Sequence, residues 1–197
     1  MTQRILRIDA SMRKNGSYSR SLADALIEQL NPKQSNQIIH RDLADGLPFV
    51  DENWINANFT AQAERTPVQQ AYLSLSDRLI EELKNADQII VALPIYNFGV
   101  PAAFKAWIDL VARSKKTFKY TENGPIGLLE NKNVYVIMTS GGTKLGSELD
   151  FISAYLHHIF AFIGLTSLTL IDSTSLGSDV DRVLSKAKEQ INSQYRE

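Results

Sequence analysis

The stretch that decides the fold is Gln88–Leu93, with the sequence QIIVAL, followed by the loop Pro94–Pro101, PIYNFGVP. A short, continuous apolar run predicts a strand that is buried on both faces, and such strands are typical of parallel sheets. The residues after the loop, Ala102–Arg113, have a helical pattern. Together the three segments predict one strand–loop–helix unit of an α/β protein.

Four further strand–helix units lie on both sides of this stretch. Shorter apolar runs predict strands at Ile5–Ile8, Gln37–His40, Asn133–Met138 and Ser167–Ile171. Helical patterns follow at Arg20–Leu30, Thr66–Lys84, Leu149–Phe162 and Asp179–Gln194, the second of them after a long connection, Asp42–Arg65. This alternation implies parallel pairing through right-handed crossovers. Residues 1–197 are therefore predicted to form a single α/β domain, a three-layer doubly wound five-stranded parallel sheet, with ligands beyond the carboxyl ends of its strands.

The composition limits the chemistry that the chain can perform. It has 197 residues, a formal net charge of −1 and no cysteine. Without thiols there is no cysteine nucleophile or cysteine-held metal, so redox chemistry requires a bound cofactor. A net charge near zero favours neither nucleic acid nor an anionic membrane as a partner. No uncharged apolar run reaches the roughly 20 residues that span a bilayer, so the expected location, by default, is the cytoplasm.

The loop Ser11–Ser19, called here the serine loop, follows the first strand and opens the first helix. A helix N-terminus presents free N–H groups and a positive dipole end, which suit a phosphate group. Ser11, Ser17 and Ser19 add hydroxyl donors, and Gly16 allows close approach of the backbone. The serine loop is therefore a candidate phosphate site, and the alternative is a helix-capping loop with incidental serines.

Two further loops follow the third and fourth strands. The aromatic loop, Pro94–Pro101, holds two aromatic side chains, an amide and a glycine, and it could supply a flat apolar wall and backbone N–H groups to a ligand. Asn97 is expected to be buried there, which a plain hydrophobic connection would not explain. The glycine loop, Thr139–Thr143, has adjacent glycines whose N–H groups can converge on an anionic edge, although Gly-Gly is also a common turn signal.

Other familiar motifs are missing or are discounted. The chain has no G-x-G-x-x-G fingerprint, no P-loop and no G-x-S-x-G elbow. His157 and His158 are adjacent on a predicted helix, so their side chains diverge by about 100° and make poor joint metal ligands. His40 is expected at a strand end, without an acidic or histidine cluster nearby. No metal site is predicted.

A longer set of residues carries a family resemblance. The set comprises Tyr96-Asn97-Phe98, Phe104-Lys105, Ile108–Arg113 and Thr117–Pro125. These segments resemble the FMN-dependent NADH-azoreductase family, within the wider NAD(P)H:quinone oxidoreductase group, and the serine loop, the glycine loop and the chain length agree with it. The resemblance implies a flavodoxin-like fold, a homodimer, non-covalent FMN, NADH or NADPH as donor, quinones or aromatic azo compounds as acceptors, and ping-pong turnover. FMN would carry the chemistry, so no catalytic side chain is implied.

Carried over by position, the resemblance assigns residues to two parts of the cofactor. The FMN phosphate would contact Ser11, Ser17, Tyr18 and Ser19. The flavin ring would lie against Ile95, Tyr96, Asn97, Phe98, Thr139, Ser140, Gly141 and Gly142. Ile95 stands where methionine is frequent in the family, and Ser140 stands where arginine is frequent. The absence of that cation is expected to affect the preference for substrate or for nicotinamide cofactor.

The segments Asp42–Arg65 and Lys115–Glu130 are not needed by a minimal five-strand sheet, and both carry aromatic residues. The resemblance implies that they close over the flavin across a two-fold dimer interface, with Tyr120 and Phe162 in the substrate space. The alternative is that both segments fold back on their own domain. Two other classes of function stay open, namely a flavodoxin-like electron carrier and a non-enzymatic binding module.

Overall fold

The structure is a computed structural model that describes residues 2–33, 35–130 and 132–194. In chain order its helices and strands are β1 (Arg4–Asp9), α1 (Tyr18–Leu30), β2 (Gln37–Asp42), α2 (Glu52–Phe59), α3 (Pro67–Asn85), β3 (Gln88–Pro94), α4 (Ala102–Val111), β4 (Phe118–Thr121), β5 (Gly124–Gly127), β6 (Asn133–Thr139), α5 (Ser153–Phe162), β7 (Ser167–Ser173) and α6 (Val180–Gln194). The predicted strands all form, and a small hairpin, β4–β5, is added between α4 and β6.

The decisive strand, β3, lies at the centre of a five-stranded sheet with the order β2-β1-β3-β6-β7. All neighbouring pairs in this sheet are parallel. The chain moves outward from β1 to β2 and then crosses back to β3, so the strand order reverses between β1 and β3. This is the switch point at which doubly wound sheets bind ligands. The predicted architecture is confirmed.

Helices cover both faces of the sheet. On one face, Val91 of β3 packs in a core that includes Leu79 of α3 and Trp107 of α4. On the other face, Ile90 of β3 packs in a core that includes Leu22 of α1. Successive side chains of a strand point to opposite faces, so both faces of β3 are buried, and the strand is apolar from Ile89 onward.

The connection between β2 and α3 contains a helix, α2, that the sequence pattern did not reveal. Its N-cap is Asp51, whose side chain accepts a hydrogen bond from the Trp54 N–H at 2.8 Å. Trp54 is buried, and the Arg113 guanidinium lies 5.8 Å from the centre of its ring. Arg113 also donates to Asn58 Oδ1 at 3.0 Å. These contacts hold α2 against its own domain.

Two glycines fix the base of the β4–β5 hairpin to the end of α5. The Leu129 N–H donates to the Ile163 carbonyl at 2.9 Å. A Cβ atom at Gly127 would lie 2.0 Å from the Gly164 nitrogen, so the two backbones touch. Gly164 has φ +100°, the left-handed region that favours glycine, and it ends α5 as predicted.

Helix boundaries differ in places from the predicted ones. A capping box forms at the start of α3, where Thr66 and Gln69 exchange hydrogen bonds of 3.0 and 3.2 Å. The helix predicted from Leu149 begins only at Ser153, because Asp150 accepts hydrogen bonds from the Ile152 and Ser153 N–H groups and acts as a cap.

Within the described ranges, no helix is both long enough and apolar enough to cross a membrane.

Candidate active site

The three candidate loops meet in one cavity of about 300 Å³ at the carboxyl ends of β1, β3 and β6. The predicted residues that line it are Ser11, Ser17, Tyr18, Ile95, Tyr96, Thr139, Ser140 and Gly141. Arg13, Gly16, Pro94 and Leu176 complete the lining. The sequence thus placed the loops at the correct edge of the sheet, and the folded chain brings them together.

A second cavity, of about 430 Å³, holds the other predicted wall residues. It is lined by Ile95, Asn97, Phe98, Ser140, Gly141, Gly142, Thr143 and Leu149. The two cavities share Ile95, Ser140 and Gly141. A flat ligand with one end at the serine loop can therefore extend over the aromatic and glycine loops.

Cavity volume alone would have indicated other sites. A cavity of about 660 Å³ includes Arg4, Gln88 and Asn133 in its lining, at the amino ends of the strands, where doubly wound sheets do not bind ligands. Another, of about 630 Å³, lies beside β7 and includes Lys144 and Asp172, of opposite charge. The topology of the sheet, not volume, selects the site between the three loops.

The serine loop leaves hydrogen-bonding groups available at the start of α1. Ser17 is the N-cap residue, but its side chain makes no capping hydrogen bond. Its Oγ lies 3.2 Å from Ser19 Oγ, while Ser11 Oγ accepts from the Arg13 N–H at 3.2 Å. The first N–H groups of a helix have no partner within the helix. The start of α1 therefore fits a phosphate that would take the place of the missing cap.

The aromatic loop is a tight reverse turn. The Tyr96 N–H donates to the Gly99 carbonyl at 3.0 Å, and the Gly99 N–H donates to the Tyr96 carbonyl at 2.9 Å. The two residues between them, Asn97 and Phe98, have φ of 48° and 62°, which is unusual for side-chain-bearing residues and is a strain found mostly at functional sites. Both are exposed, so the expectation that Asn97 is buried is wrong. The turn pushes it out to the cavity rim.

The glycine loop is tied to the loop after β7. The Ser140 and Gly141 carbonyls accept hydrogen bonds from Leu176 N–H at 2.9 Å and Gly177 N–H at 2.8 Å. A trans peptide directs its N–H away from its C=O. The Gly141 and Gly142 N–H groups therefore point away from the loop after β7, in the arrangement that suits an electron-rich edge. Ser140 itself is buried, and its Oγ donates to the Thr143 carbonyl.

The loop after β7 is the part of the site that sequence reasoning missed. Leu176 lines the first cavity, and the segment around it anchors the glycine loop. The available signal was topological, because this loop follows a strand of the same sheet at the same edge. Its residues, however, have no phosphate-binding or aromatic pattern.

Tyr120 and Phe162, predicted to face the substrate, line neither of these cavities within the single chain. Tyr120 stands on the hairpin with 72% of its surface exposed. Phe162 packs instead against the buried ring of Phe118, with 4.4 Å between the ring centres. Any role for this pair in substrate binding requires a second subunit.

A cluster of charged side chains lies directly beneath the serine loop. Asp9, fully buried at the end of β1, accepts hydrogen bonds from Arg7 Nε at 3.0 Å and Arg20 Nη1 at 3.1 Å. Arg20 also pairs with both carboxylate oxygens of Asp42, at 2.7 and 2.8 Å. This contact lowers the pKa of the Asp42 carboxyl below its usual value. The charges of the four residues, here called the ion-pair cluster, cancel one another.

His40 contradicts its prediction. It lies inside β2 and not at its end, and its Nε2 is 2.8 Å from Asp9 Oδ2. The parallel register of β1 and β2 brings the two residues together, and the sequence pattern could not reveal that register. In the part of the chain that the structure describes, no group of three or more histidine, aspartate or glutamate side chains is arranged to hold a metal ion.

Comparison with known proteins agrees with this fold. The sequence profile described as flavodoxin-like fold matches residues 3–195. The chain therefore belongs to the flavodoxin-like family.

Within that family, particular relatives can be given. FMN-dependent NADH:quinone oxidoreductase 1 of Colwellia psychrerythraea is 61% identical over 95% of this chain and 97% of its own. The protein of the same description from Hahella chejuensis is 47% identical over 95% of this chain and 93% of its own. An FMN-dependent NADH-azoreductase from Bacillus anthracis, solved in complex with FMN, superimposes with a TM-score of 0.87 at 24% identity over 98% of both chains. At that identity the superposition establishes the fold.

Proposed function

We propose that this chain is an FMN-dependent NADH:quinone oxidoreductase that also accepts aromatic azo compounds. The observation that carries the proposal is the meeting of the serine, aromatic and glycine loops in one continuous depression at the switch point of the sheet. The extensive identity to oxidoreductases of that description supports it.

The residues present fit FMN. The uncapped start of α1 would hold the phosphate, with Ser11, Ser17 and Tyr18 in the cavity lining. Ser19 is buried behind them, with its Oγ 3.2 Å from Ser17 Oγ. The flavin ring would lie over the adjoining floors of the two cavities, made of Ile95, Tyr96, Asn97, Phe98, Thr139, Ser140, Gly141 and Gly142. FMN is proposed and not FAD, because the serine loop is closed by its helix, α1.

When bound, FMN supplies the hydride-transfer chemistry. The chain's own residues orient the partners. The strained turn at Asn97 and Phe98 would support the ring from one side, and the N–H groups of Gly141 and Gly142 would stabilise negative charge along its edge. The opposite face of the ring would be left for the nicotinamide of NADH and then for the acceptor, so that one binding place would serve both in turn.

The second part of the proposal is a homodimer. Several aromatic side chains are exposed to solvent in the single chain. Among them are Phe49, Phe59 and Tyr120, with 75%, 84% and 72% of their surface exposed. Exposed apolar groups in such number are typical of an interface. A two-fold axis would bring Tyr120 of one subunit toward the flavin of the other and create two equivalent sites. No membrane or nucleic-acid partner is proposed for this nearly neutral chain, and we place it in the cytoplasm with its donor, NADH.

Steady-state kinetics tests the proposal. The purified protein, loaded with FMN, is assayed with varied NADH at several fixed concentrations of a benzoquinone. We expect many turnovers for each flavin and parallel double-reciprocal lines, and chromatography of the released chromophore should give FMN. Intersecting lines would reject the shared binding place. A single turnover would indicate an electron carrier, and failure to bind any flavin would indicate a binding module.

A further inference from the structure

Arg20 has an unusual position for a charged residue near a helix start. It is the third residue of α1, yet its side chain runs beneath the serine loop, with only 9% of the residue exposed. A cation at a helix N-terminus opposes the helix dipole. Arg20 must therefore contribute something that offsets this cost.

The contacts of Arg20 fix one peptide of the serine loop. Its Nη2 donates to the Ser11 carbonyl at 2.8 Å. The N–H of the same peptide unit, which belongs to Met12, donates to the Tyr96 hydroxyl at 3.3 Å. The Ser11–Met12 peptide is thus held at both ends, by the buried cation on one side and by the aromatic loop on the other. Arg20 itself is held by the paired oxygens of Asp42.

Arg20 also neutralises charge beneath the loop. Asp9 is fully buried two residues before Ser11, and a phosphate at the start of α1 carries a charge of about −1.5 to −2. An uncompensated Asp9 carboxylate would repel that phosphate through the poorly screened interior. Arg20 pairs with both Asp9 and Asp42, and Arg7, which also pairs with the exposed Asp24, provides a second cation at Asp9.

From this geometry we propose that Arg20 is the positioning residue of the phosphate site, and that it makes the chain select phosphorylated flavin over unphosphorylated flavin. Arg20 acts through the Ser11–Met12 peptide and through Asp9, with no contact of its own to the ligand required. The proposal rests on the proposed FMN function and adds a residue and a specificity to it.

The test compares two probes that differ only in the phosphate, FMN and riboflavin. Dissociation constants are measured by quenching of flavin fluorescence for the wild type and for Arg20→Met. We expect the ratio of riboflavin to FMN dissociation constants to fall by about tenfold or more. The variant loses the charge-assisted hydrogen bonds of Arg20 to the Ser11 carbonyl and to Asp42, and with them the support of the serine loop. The riboflavin constant itself should change by less than about twofold. A purely structural role would weaken both flavins equally and leave the ratio unchanged, and that result overturns the proposal.

Two further variants keep the outcome interpretable. Arg20→Lys retains the charge that compensates Asp9 and Asp42 but loses the planar fork, so it folds even if Arg20→Met does not, and its ratio should fall by about threefold or more. An unchanged ratio in Arg20→Lys, if it is the only folded variant, also overturns the proposal. Arg41→Met is the matched control, because Arg41 of β2 makes a comparable paired contact with Glu82 of α3, away from the loop. Its ratio should equal that of the wild type. A wild type that binds neither flavin would defeat the proposed function instead, so the two failures are distinguishable.

Discussion

The serine loop and the tip of the β4–β5 hairpin were both assigned to the site from the sequence, yet they are held in opposite ways. The serine loop rests on the buried ion-pair cluster and on a hydrogen bond from the aromatic loop. The hairpin is fixed only at its base, and Tyr120 at its tip has 72% of its surface exposed and an edge contact with Phe118. On the proposed function, the cofactor site would be complete in one chain, whereas the acceptor site would need a second subunit.

The largest expected effect comes from breaking the base of the hairpin. Gly127→Ala would place a methyl group 2.0 Å from the Gly164 nitrogen. Because the contact is between two backbone segments, neither can move away without a large cost in stability. We expect a loss of about 3 kcal/mol in the free energy of unfolding, at the upper end for overpacking. Urea denaturation measures it. Gly142→Ala is the control, since a Cβ atom there meets nothing within 4 Å and should leave stability nearly unchanged.

Next in size is the loss of the hydroxyl groups at the start of α1. The double variant Ser17→Ala and Ser19→Ala should weaken FMN binding by about 1–3 kcal/mol, because hydrogen bonds to a charged group are lost while the backbone donors remain. Fluorescence titration checks the loss. Ser21→Ala, on the exposed side of the same helix, should bind FMN normally. An unchanged dissociation constant in the double variant would remove both serines from the site.

A smaller effect concerns the acid stability of the ion-pair cluster. The pKa of Asp42 is lowered in the folded chain, chiefly by its hydrogen bonds to Arg20. A lowered pKa stabilises the fold above the unfolded-state value of 3.8, and the contribution is lost as the pH falls through the folded-state value. Asp42→Asn should cost about 1 kcal/mol at pH 7 and progressively less below about pH 4, as urea unfolding at both pH values would record. Asp181→Asn, at an exposed carboxyl on α6, serves as the control. An Asp42→Asn deficit that is independent of pH contradicts the assignment.

The smallest effect on binding energy is expected at the hairpin tip. Tyr120→Ala should change the KM for a quinone by about three- to tenfold, at most about 1.4 kcal/mol, and leave FMN affinity and folding stability nearly unchanged. Lys119→Ala is the control, because neighbouring residues of a strand face opposite sides. If FMN binding collapses in Tyr120→Ala while quinone kinetics stay normal, Tyr120 lies on the wrong side of the ring. Light scattering should show that the protein is a dimer. A fully active monomer would contradict the proposal that each site is built from two subunits.

The same contrast separates what the sequence could and could not predict. An apolar run such as that of β3 indicates a strand buried on two faces, and this made the sheet predictable. Hydroxyl-rich, aromatic or glycine-rich residues between a strand and a helix indicate a binding loop, and this made the three loops predictable. The contact of His40 with Asp9 depends on strand register, and the helix at Glu52–Phe59 depends on a cap and one buried tryptophan. Such features arise from tertiary packing, which local patterns carry only weakly.

The central claim, that the three loops bind FMN for hydride transfer from NADH to a quinone, has one direct test. The FMN-loaded protein is placed in an anaerobic cuvette, and one equivalent of NADH and then one equivalent of a benzoquinone are added. The account predicts that the visible flavin absorbance is lost on the first addition and restored on the second, with one NADH oxidised for each flavin. A bound flavin whose spectrum NADH leaves unchanged, or whose absorbance the quinone does not restore, would contradict it.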